Sequence, residues 1–286
     1  MKKLLRIALP ALAMVSCMHT SKLAKPVIQK YPSFSSVYVK ERNVEIMLPP
    51  GYDPKKKYDV LYMHDGQNVF DTATAYTHVE WKIDETVSEL TASKKIRPVI
   101  VVASWCTDQR FAEYMPARPK DAIDDAKKTG LLKNDLLSDA YLKFIVNELK
   151  PFVDKTFSTY TTPEHTFIMG SSMGGLISCY AVCEYPQVFG GAACLSTHWP
   201  ALNGTFLGYL KDHLPEPASH KFYFDHGTVT LDSLYQPYQQ QVDSMMAKAG
   251  YRENKNWISL IFEGAAHNEN AWQKRVHIPI EFLLKK

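Results

Sequence analysis

The sequence predicts an α/β fold, with a mostly parallel central sheet and helices on both of its faces. Three observations predict it. Short apolar runs such as Asp59-Val-Leu-Tyr-Met63 and Pro98-Val-Ile-Val-Val-Ala103 have the length and continuity of strands buried on two faces. Segments with helical spacing alternate with them, which is what parallel strands need for their crossovers. A further run, Thr166-Phe-Ile-Met169, enters Gly170-Ser171-Ser172-Met173-Gly174, and an apolar-rich helix follows from Gly175 to Glu184. Strand, G-x-S-x-G and helix in that order describe a turn so sharp that the central serine is strained and its hydroxyl exposed. Small residues cluster by chance in many loops, so the flanking strand and helix carry this inference.

A chain of 286 residues with 45% hydrophobic and 22% charged side chains can bury one large globular core. The net charge of +3 is accounted for by Lys2, Lys3 and Arg6, since the rest of the chain has 30 residues of each sign. Such a balance offers no electrostatic argument for nucleic acid or an anionic membrane as partner. The same three cations precede the apolar stretch Ile7–Val15, which is too short to span a bilayer and has the form of a targeting segment. It ends in Met14-Val15-Ser16-Cys17, similar to a bacterial lipoprotein cleavage box with Met14 in the place usually held by leucine. The expectation is a signal peptide over 1–16, a lipid anchor on Cys17, a tether over 17–34 and one domain over 35–286. The protein would then be exported to the periplasm or cell envelope. Secretion without lipid and an uncleaved start are the alternatives. Cys106, Cys179, Cys183 and Cys194 lie in apolar runs or at a strand end, as buried small hydrophobes do. Cys179 and Cys183, four apart on a helix, are badly placed to bridge each other.

Along the chain, Ser35–Lys40 and Val44–Leu48 are expected as strands, with Pro49-Pro50-Gly51 as the turn after the second. Asp59–Met63 runs into His64-Asp65-Gly66-Gln67-Asn68. Trp81–Leu90 is expected as a helix and Pro98–Ala103 as a central strand. The long connection Ser104–Leu136 carries Arg110, Glu113, Tyr114 and Pro116, and loops of that length are usually functional or partly disordered. Ala140–Asp154 has helical spacing that Pro151 would break or kink. Phe189–Leu195, Phe222–Phe224 and Trp257–Phe262 are further strands. Leu234–Ala249, ended by Gly250, and Trp272–Leu284 are the last helices.

A serine hydroxyl attacks only when a base takes its proton, and the base needs an acid to orient it. After this kind of turn the order is serine, acid, histidine. His267 lies in the loop directly after the last strand, where open α/β sheets place their sites, and is the candidate base. His277 falls inside the last helical segment and is assigned to packing or surface. Two carboxylates compete for the acid. Asp232 lies on the loop beyond Phe222–Phe224 and is favoured, although capping the next helix is its alternative role. Asp225, at the strand end, is the runner-up. The Met173 amide at a helix start and an amide near Gly66-Gln67 are the candidate oxyanion donors. Asp65 is expected to brace its loop, and His64 to be structural.

The segments Arg42-Asn-Val-Glu-Ile-Met-Leu-Pro-Pro-Gly-Tyr52, Tyr62-Met-His-Asp-Gly-Gln-Asn-Val-Phe-Asp71, Arg110-Phe-Ala-Glu-Tyr-Met-Pro116, Gly170-Ser-Ser-Met-Gly-Gly175 and His267-Asn-Glu-Asn-Ala-Trp272 together resemble the esterase D-like family of α/β-hydrolases. That family includes carbohydrate esterase family one feruloyl and acetylxylan esterases and trilactone siderophore esterases. The resemblance covers nearly everything after Ser35 and implies an α/β-hydrolase fold with Ser172 and His267 as nucleophile and base. It departs at the acid: relatives often carry an acidic residue soon after Gly-Thr, where this chain has Val229. The expected substrate is a small-molecule or carbohydrate ester. Trp105, Tyr114, His198, Trp199 and Trp272 are the candidate binding residues, because flat aromatic faces suit sugar rings or aryl acyl groups. The competing readings are a siderophore trilactone esterase and a non-catalytic carbohydrate-binding protein on the same fold. No metal-ligand spacing is present and the chemistry requires no metal or cofactor. The sequence leaves oligomeric state open.

Overall fold

The computed structural model describes residues 25–285. The segment 1–16 and Cys17 lie outside the described residues. β3 (Asp59–Met63), β4 (Val99–Ser104), β5 (Thr166–Ser171) and β6 (Gly191–Leu195) are buried at every position, as continuous apolar runs require. Flanking them are β1 (Val27–Phe34) and β2 (Arg42–Leu48) on one side, and β7 (Lys221–Gly227) and β8 (Trp257–Phe262) on the other. The eight strands form one sheet in the order β1-β2-β4-β3-β5-β6-β7-β8. β1–β2 and β2–β4 are antiparallel and every other pairing is parallel.

Alternation along the strands divides the core in two. Val60, Tyr62, Ile100, Ile168 and Phe224 point to one face. There they meet α4 (Ser138–Lys143), α5 (Lys150–Thr156), α6 (Met173–Glu184), α7 (Thr205–His213) and α8 (Gln236–Lys248). Leu61, Met63, Val101 and Phe167 point to the other. α1 (Ile83–Ala92), α9 (Glu269–Arg275) and α10 (His277–Leu284) cover that second layer. Among the described residues no helix is long and apolar enough to cross a membrane.

Several expectations are corrected. The first strand is Val27–Phe34, inside the segment expected as tether, and Ser35–Lys40 is a bend instead of a strand. Tyr31 and Phe34 explain this: both place their rings edge-on to Phe152, at 5.1 and 5.2 Å, so burial anchors that earlier stretch. The 104–136 connection contains two helices, α2 (Arg110–Tyr114) and α3 (Lys120–Lys128). α7 lies in a segment where no helix is expected, since Gly208 interrupts its pattern. Around Pro151 the helix does not stop. Phe144–Leu149 widens to a π turn, and Pro151 then falls in the first turn of α5, where its missing N–H is tolerated. The final helix is divided at Val276, which leaves His277 exposed at the start of α10.

A buried ion pair ties β2 to α2. Arg42 meets both Glu113 oxygens, at 2.6 and 2.9 Å, with both side chains essentially inaccessible. Removing one partner strands the other charge in the core. Glu113→Ala is therefore expected to lower unfolding free energy by about 3–5 kcal/mol in urea titration. The apolar pair Arg42→Met with Glu113→Leu should cost clearly less; an equal loss in both would refute the account.

Candidate active site

The backbone approach at the end of β5 positions the candidate nucleophile. A Cβ on Gly170 would lie 2.7 Å from the Gly174 carbonyl carbon, so only glycine lets strand and helix pass this closely. Between them Ser172 is forced to φ 57° and ψ −121°, a strained region for a serine. Ser172 N–H donates to Leu195 O at 2.9 Å and Ser172 O accepts from His198 N–H at 3.2 Å, which ties the turn to the end of β6. Ser172 stays partly exposed at the end of the sheet.

The loop after β8 brings His267 to it. His267 Nε2 lies 2.9 Å from Ser172 Oγ, and His267 Nδ1 lies 2.6 Å from Asp232 Oδ1. The carboxylate draws the ring proton to Nδ1, which leaves the Nε2 lone pair facing the serine. Asp232 sits in a one-turn helix, Thr230–Leu234, and its second oxygen accepts Gly227 N–H and Ser196 Oγ–H, each at 2.6 Å. Burial alone would raise the Asp232 carboxyl; the hydrogen bonds from His267, Ser196 and Gly227 overcome this and hold it below the ordinary carboxylate range. Asp225 is placed elsewhere. It makes a two-pronged pair with Arg275, at 2.9 and 3.1 Å, and accepts from Tyr223.

The two carboxylates are joined through one hydroxyl. Ser196 Oγ accepts from Trp272 Nε1 and from Arg275 Nη2, both at 2.9 Å. With both lone pairs engaged, its proton is directed to Asp232. Sequence reasoning missed Ser196 and Arg275 because neither lies in a recognisable motif. It also missed Tyr235, which is buried three residues after Asp232; its hydroxyl is 2.7 Å from His198 Nδ1 and its ring stands edge-on to His267.

Met173 opens α6, so its N–H has no acceptor within the helix and contributes to the positive end of the helix dipole. Gln67 lies in the 3₁₀ turn Gly66–Asn68 after β3. Its side chain is clasped by Cys106, with Nε2 donating to Sγ at 2.9 Å and Cys106 N–H donating to Oε1 at 3.2 Å. Burial beside Asp65 pushes the Cys106 thiol up to about 12, so it stays protonated. Asp65 braces the loop as expected, held by Arg110 at 2.6 and 2.8 Å.

The expected binding aromatics separate. Trp105 is half-buried next to Cys106 in sequence, and His198 is half-buried near the serine. Tyr114 is fully buried and accepts Asp65 N–H through its hydroxyl at 3.2 Å, so it braces the loop instead of lining a pocket. Trp199 is also core, with Nε1 bonded to Gln239. Trp272 is buried behind His267, ring centroids 5.0 Å apart, and supports the imidazole from the protein side. Each of these buried rings also has a polar partner for its hydroxyl or ring N–H: the Asp65 amide, the Gln239 side chain and Ser196.

His64, bonded through Nδ1 to Tyr141 Oη at 2.8 Å, is driven down to about 3 by burial, with Asp65 opposing and Arg110 and Arg42 reinforcing the shift. An unfolded histidine protonates near pH ~6.5. Between that pH and about 3 the unfolded chain therefore binds the additional proton, and stability falls as pH falls. The slope from this residue reaches at most ~1.4 kcal/mol per pH unit. The stability advantage of wild type over His64→Gln, from urea titrations, should shrink steadily between pH 7 and pH 4. A constant difference would refute a neutral, buried His64.

Residues 35–278 match the family described as "Putative esterase". The endo-1,4-beta-xylanase/feruloyl esterase of Xylanibacter ruminicola is 24% identical over 265 residues, covering 90% of this chain and 31% of that protein. This chain likewise spans 58% of the Bacillus subtilis protein YjcH, at 27% identity over 165 residues that are 57% of this chain. Among solved structures, the Anaeromyces mucronatus ferulic acid esterase superposes with TM-score 0.63 at 18% identity, covering 92% of this chain and 91% of that one. The Shigella flexneri enterobactin esterase superposes with TM-score 0.66 at 15% identity, covering 91% and 59%. These likenesses show an α/β-hydrolase-like fold.

Proposed function

The chain belongs to the Putative esterase family and is an esterase, and on that premise we propose a serine carboxylic-ester hydrolase that removes acetyl or feruloyl groups from carbohydrate. The hydrogen-bonded series Ser172–His267–Asp232, at 2.9 and 2.6 Å, carries the proposal. Ser172 Oγ attacks the ester carbonyl as its proton passes to His267 Nε2. The tetrahedral oxyanion is met by the Met173 and Gln67 amides. As it collapses, the C–O bond to the alcohol breaks and His267 returns the proton to the leaving oxygen. Water then attacks the acyl-enzyme with His267 as base, releasing the acid and restoring Ser172. Asp232 keeps the imidazole in the required tautomer. The half-buried His198 is assigned to the substrate side, supported by its backbone N–H bond to Ser172 O. Support for carbohydrate as the alcohol comes from the names of the Xylanibacter and Anaeromyces proteins.

The first test is an ester panel of 4-nitrophenyl acetate, methyl ferulate, acetylated xylan and a catecholate trilactone. Ser172→Ala should lose roughly 10⁴- to 10⁶-fold in kcat and Asp232→Asn roughly 10⁴-fold. Asp225→Asn should instead lower the unfolding midpoint, because Arg275 is left unpaired in the core. A larger kcat loss for Asp225→Asn than for Asp232→Asn would reverse the acid assignment. Preference for the trilactone would move the substrate to a siderophore. Turnover of none of the esters would favour the binding-protein reading.

Export, with Cys17 as a lipid-bearing residue, is part of the same proposal, motivated by Lys2, Lys3, Arg6 and Met14-Val15-Ser16-Cys17. Mass spectrometry of protein made in a bacterial host should find a diacylglyceryl group on Cys17, absent in Cys17→Ala. An unmodified Cys17 would remove the anchor from the proposal.

A further inference from the structure

A groove of about 310 Å³ opens beside β1, the start of β2 and the residue that follows β4. Because β2 runs antiparallel to β4, the start of β2 lies at the same end of the sheet as Ser172. Trp105 supplies aromatic surface, and Asn43, Glu45, Lys30 and Thr74 supply polar groups. Glu45 is the unusual member. Its side chain is only 4% exposed, yet among the described residues its partner is Lys30 alone, at 3.1 Å, and that lysine is 61% exposed. A carboxylate can accept about four hydrogen bonds, so Glu45 keeps acceptor capacity beyond its Lys30 pair. Asn43 accepts Ser33 N–H through Oδ1 at 3.1 Å, which leaves its amide hydrogens free to donate. The inner wall is continuous with the candidate oxyanion loop, since Thr74 Oγ1 donates to Gln67 O at 2.8 Å and Cys106, next to Trp105, clasps the Gln67 side chain.

We infer that this groove is a distal subsite for a neutral glycan chain, an inference that rests on the carbohydrate-ester reading above. A sugar ring presents an apolar C–H face and a rim of hydroxyls. The Trp105 face suits the first, Glu45 accepts from adjacent hydroxyls, and Asn43 donates to a hydroxyl or ring oxygen. A carboxylate in the lining disfavours an anionic ligand. β3 stands between β4 and β5, so the ends of β4 and β5 are two strand spacings apart, roughly 10 Å. The groove therefore holds the polysaccharide at a sugar some units removed from the one whose ester faces Ser172.

The test separates binding from turnover. Full-length protein carrying Ser172→Ala is titrated calorimetrically with xylotetraose and with cellotetraose, neither of which has an ester. Binding of at least one is expected, weakened tenfold or more by Trp105→Ala and by Glu45→Gln, and largely kept by Trp105→Phe. With active enzyme, the ratio of kcat/KM for a feruloylated oligosaccharide to that for methyl ferulate should exceed one and collapse with Trp105→Ala. Absence of binding by both tetrasaccharides, or binding indifferent to Trp105 and Glu45, overturns the subsite. An enzyme active on the ester panel but without glycan binding sinks this inference and leaves the esterase reading standing. Glycan binding without turnover of any ester does the reverse.

Discussion

Everything at the candidate site depends on how closely β5 and α6 approach. With no side chain at Gly170, the two backbones nearly touch, and Ser172 must take up the strain of the turn between them. That strain lifts the hydroxyl out of a sheet whose neighbouring strands are wholly buried. It also leaves the first amides of α6 free, and these are the groups an oxyanion needs. Two-sided burial of β3, β4, β5 and β6 makes the platform rigid enough to sustain such a conformation.

Asp225 and Asp232 are seven residues apart and chemically identical, but their surroundings give them different tasks. Asp225 is at the end of β7, beneath Arg275, and neutralises a cation that would otherwise be buried alone. Asp232 is one turn further on and meets an imidazole, a hydroxyl and an amide. Ser196 joins the two environments: its proton is committed to Asp232 because Trp272 and Arg275 occupy its lone pairs. A buried cation thus acts on the carboxylate through one intervening hydroxyl, in a dry site where such polarisation is strongest.

The same economy holds on the opposite side of the serine. His64, Asp65, Arg110, Tyr114 and Tyr141 form a bonded cluster behind the loop that carries Gln67. None of them needs to touch a substrate to matter, since a donor aimed at a developing charge is useful only when its loop cannot move. Tyr114 shows how such a residue misleads. An aromatic near a strand end has the composition of a pocket wall, but this one points inward and uses its hydroxyl as a brace.

The sequence by itself determined the layering, the elbow and the order of the candidate reactive residues. β3 and β8 occupy the predicted residues, because buried strands need apolar continuity and little else. Ser172 and His267 were visible because glycine spacing and a post-strand loop are local features. What only the tertiary structure decided was long-range. Whether Asp225 or Asp232 meets His267, whether a tryptophan faces solvent or core, and whether 27–34 is a strand each depend on a partner far away in sequence. Phe152 fixes β1, Arg275 claims Asp225, and Gln239 draws Trp199 inward. Local propensity has no access to such partners, because the energy that selects among alternatives comes from packing and hydrogen bonds that exist only once the chain has folded.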